Sequence, residues 1–448
     1  TLSLSRRTTS SVLMATHFSS FDEVIIKKIE SFKEKEKSII KKRKTGLPAT
    51  QEDRFSYLFA GMKHFEEKAY LCALNRIFGF KPKIALALLS NFGSASEVFS
   101  MRDKEINLVL GPYSNHANSF RLASVEKEAQ ELERLTKEGI TFVGWTEDGY
   151  PQTLKQCEDA PVGLYIRSRT PVSELFKPRR EIAIVGTRDL SLYGRDWCEK
   201  TVKSLSQTEE RPRIISGLAL GADICAHKAA IDNKLETIAV MATGPENIYP
   251  YRHKEFAMRL CEIPGCALIT DYPPGTAPLA IHFLRRNRII AGLSDALLLI
   301  ESKIKGGGMM TSRLAFSYNR DVYALPGRID DIRSQGCNYL IKNKIAEPIT
   351  STEELISSLG LSSGRIRGNE NWNENLSMNY SGRIPENRIS QMAVLLLAIR
   401  ENRGITLEEL CQKCRMDYGQ VAMLAGMLET DGFISIDLLQ RCCILSRK

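Results

Sequence analysis

The sequence has no run of about 18 uncharged apolar residues, so no membrane-crossing helix is expected. Its eleven cysteines are odd in number and irregular in spacing, which excludes the disulfide framework of a small secreted domain and points to a reducing cytoplasm. G-x-x-x-x-G-K-[ST] is absent, so P-loop hydrolysis of ATP is unsupported. No β-branched run leads into G-x-G-x-x-G, so nothing indicates a dinucleotide, and no cofactor is expected. The opening TLSLSRRTTSSVLMATHF lacks the apolar stretch of a secretory signal, while its Ser, Thr and Arg leave an organellar presequence as the alternative.

What is present is ordinary for a globular chain: 43% hydrophobic and 26% charged over 448 residues, enough for two to four domains. The formal charge is +9, which suggests an anionic partner. Residues 1–61 hold 12 Lys and Arg against 7 Asp and Glu, so five of those nine charges lie there and four elsewhere. Residues 22–45 could form a charged helix, yet little follows that could bury its apolar face. Residues 1–61 are therefore expected to be a basic, disordered tail, not the binding site. Met62 opens a different texture, and translation could begin there.

From 62 to 138 the apolar spacing is helical, with breaks expected around Gly79 and Pro82 and at Gly93. Beyond residue 139, short β-branched runs alternate with helical stretches: TFVGW (141–145), GLYIR (163–167), IAIVG (182–186), RIISG (213–217), TIAVMATG (237–244), CALIT (266–270), ALLLIES (296–302) and DVYALPG (321–327). Such alternation predicts an α/β domain over 139–360, a doubly wound parallel sheet whose ligand sits at the carboxyl edge of its strands. Residues 361–386 read as a Ser-, Gly- and Asn-rich linker. Residues 387–448 read as three helices and a hairpin, the order of a winged helix. Its third helix, DYGQVAMLAGMLETDG, has no Lys or Arg, which favours a protein contact over duplex recognition.

The chemistry concentrates between 182 and 350. Gly186, Thr187 and Arg188 follow a buried strand, offering close backbone approach, a hydroxyl and a guanidinium fork for phosphate. Gly217 and Gly221 bracket a strand-to-helix turn whose amides could bind an anion. Arg285, Arg286, Asn287 and Arg288 lie in one helix behind Phe283, the cationic and aromatic mixture suited to single-stranded nucleic acid. Lys303 and Lys305 lead into Gly306, Gly307 and Gly308, a second backbone nest beside cations.

These segments, IAIVGTR…YG, SGLALGAD…AH, TIAVMATGPENIYP, HFLRRNRIIAGLS, GGGMMTS and VYALPG…S-x-G-x-N-x-LI, occur in the order typical of the DNA-processing protein A family (DprA, also called Smf), which the chain resembles over residues 62–448. The resemblance implies an extended Rossmann fold, an N-terminal SAM-like helical domain, a C-terminal winged helix and a homodimer. It also implies a cytoplasmic, non-enzymatic protein that binds single-stranded DNA and assists RecA loading during natural transformation. Carried over by position, Arg188 would contact phosphate. Phe283, Arg285, Arg286 and Lys305 would line the same groove, and the Gly217–Gly221 turn would supply backbone contacts. Two departures bear on the pocket: GGGMMT (306–311) stands where Ser-Gly-Ser-Leu-Ile-Thr is common, and Leu284 where Pro is common.

Other assignments compete. Asp223 and His227, four apart on one helix, could suggest a metal pair, but too few further ligands are evident and a capping or core role is favoured. Cys411, Cys414, Cys442 and Cys443 would have to converge to hold zinc, and the adjacent pair is poorly spaced for it. Glu301 could serve as a general base in a nucleotide hydrolase, against a plain hydrogen-bonding role. The alternative function is accordingly a nucleotide-processing enzyme of the phosphoribohydrolase-like Rossmann group, although its P-G-G-x-G-T loop is absent.

Overall fold

The computed structural model describes residues 22–31, 66–362, 376–377, 379–380, 382–402, 405–437 and 440–444. They divide into two compact units: one runs up to Glu199 and resumes over Arg213–Pro348, and the other joins Lys200–Pro212 to the residues from Ile349 onward.

The first unit opens with helices. Glu67–Phe78 ends at Gly79, Pro82–Phe92 starts with Pro at its first turn, and Gly93 closes it at φ +91° with its N–H on the Leu89 carbonyl, 2.8 Å away. Proline fits a helix start because its missing donor has no partner there, and glycine fits the left-handed stop. Leu71, Leu74, Phe78, Ile84 and Leu88 of these helices share one core with Val98 and Val109. Part of the expected tail joins them. Residues 22–31 form a helix that buries Ile25 and Ile29 in that core, and Asp22 pairs with Lys81 at 2.7 Å. The apolar stripe does have a partner, supplied from some fifty residues downstream in sequence. The remainder of 1–61 lies outside the described residues.

Nine strands form one sheet in the order β1-β2-β6-β5-β4-β3-β7-β8-β9. They are β1 (Ile140–Gly144), β2 (Gly163–Arg167), β3 (Glu181–Val185), β4 (Arg213–Ser216), β5 (Thr237–Val240), β6 (Ala267–Thr270), β7 (Ala296–Leu299), β8 (Asp321–Ala324) and β9 (Glu347–Pro348). Every residue of β3 to β7 is buried, as expected of strands covered on both faces. Alternate residues feed opposite cores: Ile238, Val240, Ala267 and Ile269 join one, while Ala239, Met241, Cys266 and Leu268 join the other. Strands β3 to β9 run parallel, but β1 pairs antiparallel with β2, and β2 with β6. The expectation of a wholly parallel sheet is corrected at that edge.

The chain builds outward from β3 through β4, β5 and β6, then returns to the other side of β3 as β7, β8 and β9. The crevice at the carboxyl ends of β3 and β7 is thus the topological switch point, where doubly wound sheets hold their ligands. Three helices frame it: α1 (Ala222–Asp232), α2 (Ala280–Leu293) and α3 (Gly307–Ser317).

In the second unit, helices Glu386–Glu401, Leu407–Cys414 and Tyr418–Thr430 pack with a small antiparallel sheet ordered β10 (Ile405–Thr406), β12 (Arg441–Ile444), β11 (Ile434–Ile436). Leu376 and Tyr380, from the segment expected to be linker, are buried in that core, so the expected linker boundary is too late. Residues 363–375 lie outside the described residues. Among the described residues no helix is long and apolar enough to cross a membrane.

Candidate nucleic-acid interface

A pocket of about 530 Å³ opens at the switch point. Gly186, Thr187 and Arg188 line it from the end of β3, Phe283, Arg286, Asn287 and Ile290 from α2, and Lys303, Gly306, Gly307 and Gly308 from the loop that starts α3. Positions 283, 286, 287 and 290 follow the i, i+3, i+4, i+7 spacing of one helix face. Arg188 is exposed, and its guanidinium lies 5.4 Å from the centroid of the Phe283 ring. Tyr249, a lining residue that sequence reasoning passed over, meets Phe283 edge-on at 5.4 Å. Its only sequence signal was an aromatic beside proline in ENIYP, after β5.

The glycines here make close packing possible. At Gly186, a Cβ would lie 2.7 Å from the Ala222 Cβ and 3.0 Å from the Glu301 carbonyl oxygen. At Gly221, which has φ +74°, it would lie 2.2 Å from the Thr187 carbonyl oxygen. The start of α1 is therefore pressed onto the loop that carries Arg188, and Ala222 N–H donates to that Thr187 oxygen at 3.1 Å.

Several expected site residues have other duties. Gly217 and Gly221 do not line the pocket. In their turn, Ala219 N–H is engaged by Asp223 at 3.3 Å and Ala222 N–H by Thr187, which removes two of the amides expected to meet an anion. Gly217 instead makes room for Arg286, whose guanidinium would come within 2.2 Å of a Cβ there. Arg286 does line the pocket, but it is 3% exposed, and its Nη1 donates to the Gly217 and Val240 carbonyls. It braces the site more than it offers a free cation. Arg288 points elsewhere, because residues two apart on a helix project about 200° apart. It is buried in an ion pair with Asp271 at 2.5 Å and also donates to the Asp159 carbonyl. Arg285 faces the helical segment, 4.1 Å from the Phe80 ring centroid. Lys305 is exposed but outside the lining.

The competing assignments resolve similarly. Asp223 lies at the pocket, where burial pushes its carboxyl up and Arg286, then Arg188, opposes that. His227 is wholly buried, with Nδ1 2.7 Å from the Thr237 hydroxyl, and burial pushes its imidazole down to about 3, so the ring is neutral. The Glu301 carboxylate accepts from Ser191 N–H at 2.9 Å and from the Ser191 hydroxyl at 2.5 Å, anchoring the turn before Leu192–Ser206. Cys411 donates to the Leu407 carbonyl at 3.0 Å, and Cys442 is buried in the core of its unit. Among the described residues no cluster of three metal-ligating side chains occurs.

Two exposed cations, an aromatic pair and the amino end of an eleven-residue helix thus converge on one pocket, an arrangement suited to a phosphate-bearing ligand with a planar group. Fold and site together define a doubly wound α/β protein with a switch-point pocket lined by cations and aromatic rings. Residues 141–360 match the profile of the DNA recombination-mediator protein A family. The chain is 37% identical over 227 residues to DNA processing protein DprA of Streptococcus pneumoniae, covering 50% of this chain and 76% of that one. It is 32% identical over 305 residues to protein Smf of a Synechocystis strain, covering 66% and 73%. The X-ray structure of DNA processing protein A from S. pneumoniae superposes with a TM-score of 0.53 at 29% identity, covering 66% of this chain and 98% of that one. The chain belongs to the DprA/Smf family.

Proposed function

We propose that this chain is a non-enzymatic mediator that binds single-stranded DNA at the switch-point pocket, protects it, and helps load RecA in natural transformation and recombination. One observation carries the proposal: the exposed Arg188 guanidinium sits over Phe283 at 5.4 Å, beside Lys303 and the open amino end of α3. Cation, ring and backbone amides together fit phosphate and unstacked base at once, which a duplex does not offer. Membership of a family described as DNA recombination mediators supports the same assignment. The engagement of both Glu301 oxygens by Ser191 supports a binding role over hydrolysis.

In this proposal the helices of 67–137 act as the SAM-like domain and the unit around Glu386–Ile444 as a winged helix that meets protein rather than duplex. The protein works in the cytoplasm as a homodimer whose two pockets share one strand, so that the second contact is made at high effective concentration. The test is competition between a labelled oligo-dT and either unlabelled single strand or duplex of the same length. Single strand should displace the label at least about tenfold more effectively. Equal displacement by duplex, or release of free base from nucleotide monophosphates, would overturn the proposal.

A further inference from the structure

No cysteine lines the pocket, and those of the first unit are all buried as free thiols. Burial pushes most of them up, Cys261 and Cys337 to about 12, which keeps them protonated and unreactive. Two are different. Cys198, on the helix Leu192–Ser206, and Cys225, on α1, hydrogen-bond one another where the two helices meet. Cys225 Sγ also lies 3.9 Å from Oε1 of Glu199, the neighbour of Cys198, which fixes it against that part of the facing helix. Two thiols in contact from separate helices are placed to be joined.

The two sulfurs are unequal. Cys198 is fully buried, and its bond to Cys225, together with burial, pushes its thiol far up. The same bond holds the Cys225 thiol below its ordinary value against the effect of burial, with Glu199 opposing and Arg195 and Lys228 assisting. Cys225 is 7% exposed, and those three charged side chains around it are themselves exposed, so it is both the more acidic sulfur and the one nearer solvent. An accessible, acidic thiol backed by a buried protonated one divides the work as an attacking and a resolving cysteine do.

We propose that Cys225 and Cys198 form a peroxide-sensitive dithiol that closes to a disulfide between α1 and the helix Leu192–Ser206. The Cys225 thiolate attacks one oxygen of a hydroperoxide and the O–O bond breaks. Cys225 becomes a sulfenic acid, and the other oxygen leaves as an alcohol, or as water from hydrogen peroxide, carrying the proton that the thiol lost. The Cys198 sulfur then attacks the Cys225 sulfur, the S–O bond breaks, and hydroxide leaves with the Cys198 proton as water. Two thiols are oxidised to one disulfide and one peroxide is reduced; a dithiol reductant reverses the closure.

A disulfide holds its sulfurs about 2.0 Å apart, well inside the contact of two thiols, so closure draws the helices together. α1 begins one turn before Cys225, where Ala222 crowds Gly186 and its N–H holds the Thr187 carbonyl, and the facing helix begins just beyond Arg188. Both flanks of the Arg188 loop therefore move with the bond. That coupling to strand affinity rests on the single-strand proposal above, whereas the dithiol itself does not.

In the test, the reduced full chain is treated with equimolar hydrogen peroxide, its remaining thiols are alkylated in denaturant, and its peptides are mapped by mass spectrometry. The peptides bearing Cys198 and Cys225 should be found linked, two hydrogens lighter than their sum, and dithiothreitol should separate them. Cys198→Ser should instead leave Cys225 as a sulfenic acid that dimedone captures. The oxidised protein should bind labelled oligo-dT at least about threefold more weakly than the reduced one, a difference that dithiothreitol and Cys225→Ser each abolish. Alkyl groups on both cysteines of the native protein after peroxide, or a link that joins other cysteines in preference, overturn the proposal whether or not the variants fold. A disulfide that leaves strand affinity unchanged overturns its control of the Arg188 loop. Failure of the reduced protein to bind any oligonucleotide would instead remove the single-strand proposal, and the peptide map alone would then decide the dithiol.

Discussion

Replacing Gly221 by alanine tests how the site is built. The residue has φ +74° and ψ −119°, a region essentially restricted to glycine, and holding alanine there costs roughly 1–3 kcal/mol. The new Cβ would also stand 2.2 Å from the Thr187 carbonyl oxygen and 2.7 Å from the Arg188 carbonyl carbon. Both are backbone atoms, so no rotamer change relieves the clash, and overpacking of this kind adds roughly 1–3 kcal/mol. The combined loss is about 2–6 kcal/mol, equivalent to a fall in Tm of the order of 4–12 °C at ~2 °C per kcal/mol for a large unit. The loop that moves carries Arg188, so strand affinity measured below the new Tm should also fall by about tenfold, roughly the weight of one charge-assisted hydrogen bond. Scanning calorimetry and anisotropy on the same preparation provide both readouts. A Tm within about 1 °C of the native protein, with affinity retained, would show that α1 does not press on the Arg188 loop and would refute the packing role given to this glycine.

Two further predictions address neighbouring features. Gly307→Ala places a Cβ where no heavy atom lies within 4 Å, so folding should be unaffected, while the methyl at the pocket wall should lower strand affinity roughly threefold to tenfold by titration. At the amino end of the central strand β3 Glu181 is buried, and burial pushes its carboxyl up to about 7 despite Arg213 at 3.1 Å. Its folded value lies above the ordinary 4.5, so its stabilising contribution is complete below about pH 4.5 and is lost as the pH rises through 7. Glu181→Gln should therefore reduce the stability difference between pH 5 and pH 8 by the order of 1–3 kcal/mol in urea denaturation, whereas parallel profiles would exclude that role.

Much of the fold was legible because buried parallel strands are short continuous apolar runs. Each of the eight runs named from composition contains or overlaps a strand. β9 was not legible, since two residues cannot carry a pattern. Nor was the antiparallel direction of β1 and β2, because strand composition does not encode direction. At the site, adjacency in sequence misled where helix geometry separates neighbours. Arg285, Arg286 and Arg288 look like one basic cluster, yet they meet Phe80, two backbone carbonyls and Asp271 respectively. Glycine positions were visible, but not which atoms crowd them: Gly217 admits a guanidinium and Gly221 a backbone carbonyl, both from residues far apart in sequence. That the 22–31 helix buries its apolar stripe was missed for the same reason, the stripe being complementary to helices that begin at Glu67.

Whether Arg188 and the switch-point pocket hold single-stranded DNA through its phosphates is decided by the affinity of the native protein and Arg188→Glu for an oligo-dT across a range of salt. The variant should bind at least about tenfold more weakly. Its log affinity should also depend less steeply on log salt, since each phosphate neutralised on a single strand adds about 0.7 to the slope. Equal affinity and equal slope for the two proteins would place the strand elsewhere on the molecule and contradict a phosphate grip at Arg188.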